Sequence, residues 1–152
     1  MFSIMPLDKK SFYARTMHTP DSPERAAQRA ALRELSKSLL PLHRALIDAA
    51  KDDFGAALGP IEKPAQLLQL LHDDPFFAWL KPITSLIVDI DEMARTDFET
   101  SEVIAIADRT DHFFGPKAEE AFSVRYLPML QRSVEVAIGH AAVRKASARL
   151  RG

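Results

Sequence analysis

The chain contains no cysteine, only five glycines and a single tryptophan in 152 residues, and its 20 basic and 21 acidic side chains nearly cancel. Without cysteine there is no disulfide framework, no thiolate metal site and no thiol nucleophile. So few glycines leave little material for loops that cradle phosphate. No Gly-rich phosphate loop, dinucleotide fingerprint or Gly-x-Ser-x-Gly nucleophile turn occurs. No stretch approaches the roughly 18 consecutive apolar residues of a transmembrane helix, and the nearest, 75–88, is short and carries Lys81. Lys9 and Lys10 follow the apolar residues of the N-terminus, the reverse of a secretory signal, so a cytoplasmic protein without membrane attachment is expected. A formal net charge of -1 gives the whole chain no surplus with which to hold nucleic acid, which is not an expected partner.

What the sequence does contain is helical periodicity. A chain of 152 residues that is 47% hydrophobic suits one domain with a single core. Residues 1–22 follow neither a strand nor a helix period, yet carry Phe2, Ile4, Met5, Leu7, Phe12, Tyr13 and Met17. They read as an N-terminal arm, packed on its own domain or exchanged with a second protomer. Ser22 and Pro23 then give a cap and a first helical residue. From Pro23 to about Phe54, Leu32, Leu35, Leu39, Leu42, Leu46 and Ala49 alternate steps of three and four and build one apolar stripe, with Pro41 on the polar side.

Lys63-Pro64 opens a short helix that ends at Asp73-Asp74-Pro75, where Asp74 caps the next one. Phe76, Trp79, Leu80, Ile83, Leu86, Ile87 and Ile90 form a broad arc, read as a second kinked helix with Pro82 off its buried face. Thr100 is the expected cap of a helix that Gly115-Pro116 ends. Another runs from about Ala118 to Gln131 around Pro128. Ser133 caps a last helix that is apolar or small nearly all round, which requires burial on several sides or a partner chain. The expected fold is all-α: a single-domain bundle of five to six helices over 23–152, several kinked at proline.

The chemistry-bearing residues make no catalytic constellation. None of the nine glutamates has a histidine three residues later, which excludes the paired Glu-x-x-His of di-metal bundles, and His-Glu-x-x-His is absent. Of five histidines, His112 falls on a solvated face, His72 closes a short helix, His18 lies in the arm and His140 shares a face with Val136 and Val143. His43 alone sits inside a clear apolar arc, either as a satisfied core residue or as a ligand. Asp91 lies at the edge of its helix's apolar arc, four residues before Arg95, a spacing that suits an ion pair. Kinks at Pro41, Pro82 and Pro128 suggest an internal pocket near His43, Trp79 and Asp91 for a small molecule, haem or metal, although nothing in the sequence demands a cofactor.

Charge is unevenly distributed. Residues 1–51 hold nine basic and five acidic side chains, 52–124 five and fifteen, and 125–152 six and one. Arg29, Arg33, Lys37, Arg44 and Lys51 share a seam beside the apolar face of the first helix. Such a chain either satisfies its charges internally, offers the seam to an anionic surface, or pairs its ends with the acidic middle of another protomer.

The run Leu70-Leu71-His72-Asp73-Asp74-Pro75-Phe76-Phe77-Ala78-Trp79-Leu80-Lys81-Pro82-Ile83, with Leu86-Ile87-Val88-Asp89-Ile90-Asp91, resembles a stretch in small bacterial helical-domain proteins with no assigned activity. Leu42-His43-Arg44-Ala45-Leu46 and Gly139-His140-Ala141-Ala142-Val143 are similar in kind. The resemblance implies a bacterial cytosolic helical domain and brings no catalytic motif. The expectation is a non-enzymatic protein acting through protein–protein interaction or as a homo-oligomer. The alternative is a ligand-binding bundle with its pocket at His43.

Overall fold

The computed structural model describes residues 20–152, so the arm expected over 1–22 lies almost wholly outside the described residues. The described chain is all-α, with no strand. Its helices are α1 (Pro23–Leu58), α2 (Pro64–Asp73), a 3-10 helix (Pro75–Leu80), α3 (Lys81–Met93), α4 (Thr100–Phe114), α5 (Glu120–Arg132) and α6 (Val134–Leu150). None of them is long and apolar enough to cross a membrane.

α1 is the spine. The Ser22 hydroxyl accepts the Arg25 N–H at 3.1 Å and Pro23 stands where its missing N–H costs nothing. The helix ends at Gly59, whose φ of 107° is open to glycine and strained for other residues. Its 36 residues run through Pro41, which sits on the exposed side as expected. Leu32, Leu35, Leu39, Leu42 and Leu46 are completely buried, each contributing about 1.5–3 kcal/mol by leaving water.

Two helices run antiparallel to α1. Along α3, Ser36 meets Asp91 and His43 meets Thr84, so numbers rise on one helix as they fall on the other. Along α6, Asp53 pairs with Arg132 just before the helix begins, and Leu42 meets Gly139 within it. A Cβ on Gly139 would lie 3.0 Å from the Leu42 Cβ, which is why a residue without a side chain stands at this crossing.

The arc after Asp74 differs from the single kinked helix expected there. Asp74 caps it as anticipated, accepting the Phe76 N–H at 2.8 Å. The first six residues are nevertheless a 3-10 helix, and an α-helix starts at Lys81 with Pro82 in its first turn. In a 3-10 helix residues three apart are eclipsed, and Phe77 and Leu80 are the two buried there. Proline at the start of α3 loses no intrahelical bond, so the break precedes Pro82 instead of kinking at it. The cap of α4 is Glu99, one residue before the expected Thr100, with the Glu102 carboxylate reaching back to the Glu99 N–H at 3.1 Å. Ser133 caps α6 as expected, accepting the Val136 N–H at 3.2 Å.

The basic ends of the sequence meet its acidic middle within one chain. Arg25 pairs with Asp97, Arg132 with Asp53, Arg144 with Asp111, and Arg151 with both Asp108 and Asp111. These pairs are partly exposed, so each contributes at most about 1 kcal/mol, and among the described residues the seam side chains Arg33, Lys37, Arg44 and Lys51 make none of them. Arg29 leaves the solvated seam altogether. It is buried, donates to Asp21 and to the carbonyls of Ala94 and Thr96, and lies over the Phe98 ring. It ties the start of α1 to the turn after α3.

Candidate functional site

The last helix carries the feature from which a site is built. Its inner face, Val136, Gly139, Val143, Ala146 and Leu150, is buried as the stripe requires. Its outer face is also apolar, and there Val134 and Ile138 remain 75% and 66% exposed, with Ala137, Ala141 and Ala142 exposed around them. The near-isotropic composition of α6 thus divides into one face spent on the core and one left in water.

Beside that outer face lies an open groove of about 1200 Å³. Leu40, Pro41 and His43 of α1 line it together with Leu67 and Leu71 of α2 and Ile138, Gly139 and Ala142 of α6. Leu40, which the heptad-like stripe of α1 places beyond the buried leucines, is 53% exposed. Lys37, Arg44, Glu34, Asp48 and Glu135 ring the apolar floor with both signs of charge. Small-molecule pockets run about 300–1000 Å³ and enclose most of their ligand. This groove is larger and open, with an apolar centre and a charged rim.

α2 forms the outer wall and is lightly held. None of its residues is fully buried, Leu67, Leu70 and Leu71 are half-buried, and Leu68 is exposed. The amphipathic pattern of its sequence is therefore only partly used by the other described residues.

The three candidate ligand residues occupy three different places. His43 lines the groove, half-buried, with its Nε2 3.0 Å from the Thr84 hydroxyl. Burial holds its imidazole below the usual value, so the neutral ring is favoured. Asp91 lies seven residues farther along α3, on the surface, where it accepts the Ser36 hydroxyl instead of pairing with Arg95. Trp79 belongs to an aromatic cluster, its ring centroid 5.5 Å from Phe122. Neither Trp79 nor Asp91 is among the residues lining the groove. Among the described residues, no three His, Asp or Glu side chains come together as a metal site would require.

The aromatic cluster contains a polar pair that sequence reasoning did not single out. Phe113, Phe114, Phe122 and Tyr126 meet at centroid distances of 5.1 to 5.7 Å. The Tyr126 hydroxyl, held protonated by burial, shares a hydrogen bond of 2.7 Å with Nδ1 of His140. Burial and the neighbouring Arg144 both lower the His140 pKa. The pair bridges α5 and α6 across the Ser133 turn. No periodicity of either helix alone signals it, because it depends on the angle between them.

Comparison of the chain with protein-family models, with curated proteins and with solved structures finds no match.

Proposed function

We propose that this is a non-enzymatic helical protein that acts by binding protein, in the first place a second copy of itself, through the face shared by α1 and α6. One observation carries the reading: Leu40, Ile138 and Val134 keep half or more of their surface in water beside an open apolar groove. A contiguous apolar surface with a polar rim is what an interaction site offers, whereas scattered single apolar residues are ordinary. The absence of cysteine suits a reducing cytoplasm.

Sedimentation velocity of the full chain and of Ile138→Glu tests this reading. Self-association at tens of micromolar is expected for the parent chain, lost in the variant while its helical circular dichroism is unchanged. A strictly monomeric parent removes the self-association reading.

A second reading, a ligand-binding bundle, draws on the half-buried His43 in the groove wall. Here the groove would take an apolar small molecule, with the imidazole as its polar contact. Native mass spectrometry of the purified chain would show a bound mass that His43→Ala releases. An unadorned chain mass, with no loss of affinity for any apolar probe in the variant, argues against it.

A further inference from the structure

Resting on the self-association reading above, we propose that a second copy docks α6 against α6 in antiparallel fashion, about a two-fold axis at the level of residue 140, with reciprocal Glu135–Lys145 pairs setting the register. Glu135, Ile138, Ala142 and Lys145 follow one another in steps of three, four and three, which places them within a sector of roughly 80° on a helix. All four are exposed.

This stripe is complementary to its own reverse. When a second α6 is laid antiparallel with Ile138 opposite Ala142, Glu135 falls opposite Lys145, because both pairs are centred on the same residue number. The two-fold repeats each contact, as an isologous interface must. A large side chain then faces a small one at both inner positions, so the helices approach without colliding. An acid faces a base at both outer positions. In the parallel arrangement Glu135 would face Glu135 and Lys145 would face Lys145, which is repulsive at both ends.

Two further observations fit the same occupant. Among the described residues neither Glu135 nor Lys145 has an ion-pair partner, although Arg144 and Arg151 of the same stretch are both paired. Ile138, Ala142 and Glu135 also line the groove, so a second α6 on this stripe would cover the exposed Leu40 and Pro41 of α1 as well.

Charge reversal tests the register. At low salt, Glu135→Lys and Lys145→Glu should each weaken the dimer by roughly tenfold, since two exposed pairs of modest strength are replaced by repulsion. An equimolar mixture of the two single variants should associate as well as the parent chain, because both reciprocal pairs are restored between unlike chains. The doubly substituted chain should also recover. Thermal melts of each variant check that the fold is intact. A dimer abolished by Ile138→Glu but indifferent to both charge reversals overturns the register and leaves the α1–α6 face as the interface. A parent chain that is monomeric overturns both.

Discussion

The Ser36 hydroxyl of α1 donates to the Asp91 carboxylate of α3. Seven residues along each helix, in opposite directions, His43 and Thr84 repeat the arrangement at 3.0 Å. Two polar rungs one heptad apart fix the antiparallel register of the pair, with the fully buried Leu39 and Leu42 between them on α1. A slip of one turn would leave the buried Ser36 hydroxyl without its acceptor, a penalty that hydrophobic packing alone does not impose.

Ser36→Ala is expected to lower the unfolding free energy by about 1 kcal/mol, the ordinary worth of a hydrogen bond whose acceptor keeps access to water. Asp91→Ala should cost at least as much, because it strands a buried hydroxyl. Urea unfolding of both single variants and the double variant should give a coupling of about 0.5 kcal/mol or more. Strict additivity would mean that the rung contributes nothing.

Gly139→Val should destabilise the chain by about 1–3 kcal/mol through overpacking at the α1–α6 crossing. The space it lacks is occupied by Leu42, whose Cβ and Cα lie 3.0 and 3.1 Å from the point where the valine Cβ would stand. Because the Leu42 backbone is among those atoms, Leu42→Ala should relieve only part of the loss. Full rescue in a thermal melt would show that the helices are free to move apart.

Arg29→Met removes a buried guanidinium from Asp21 and from the carbonyls of Ala94 and Thr96. A loss of about 2–4 kcal/mol is expected, since carbonyl acceptors and a carboxylate lose their charged donor together. Hydrogen exchange should accelerate in the turn after α3 as well as at the start of α1. Faster exchange at α1 alone would mean that the two ends are not joined through this residue.

Acid should weaken the fold before the carboxylates titrate. Burial depresses the pKa of His43, and burial with Arg144 depresses that of His140, both from an ordinary 6.5. The native chain then binds fewer protons than the unfolded chain below that pH, so stability falls as pH drops through 6.5 and is fully present above it. Denaturant midpoints between about pH 7.5 and 5.5 should decrease, and the double variant His43→Gln with His140→Gln should flatten the slope. An unchanged slope would assign the pH dependence to other groups.

The caps and the long apolar stripes were legible in the sequence because each depends on neighbours a few residues apart. Ser22, Asp74 and Ser133 cap where their side chains were expected to, and the leucines of α1 are buried as their spacing required. The 3-10 start before α3 was not legible, since a 3-10 turn and an α-turn share the same apolar spacing over six residues. Nor was the fate of Arg29, whose carbonyl acceptors lie 65 and 67 residues away. For the candidate site, composition showed that α6 has more apolar surface than one core face uses. Which face stays in water depends on how α1 crosses it at Gly139, and that is a property of packing, not of the α6 sequence.

If the outer face of α1 and α6 is where a second chain binds, the oligomeric state of one variant reports it most directly. Sedimentation velocity at tens of micromolar should show a dimer for the parent chain and a folded monomer for Ile138→Glu. A monomeric parent, or a dimer that Ile138→Glu leaves untouched, would contradict it.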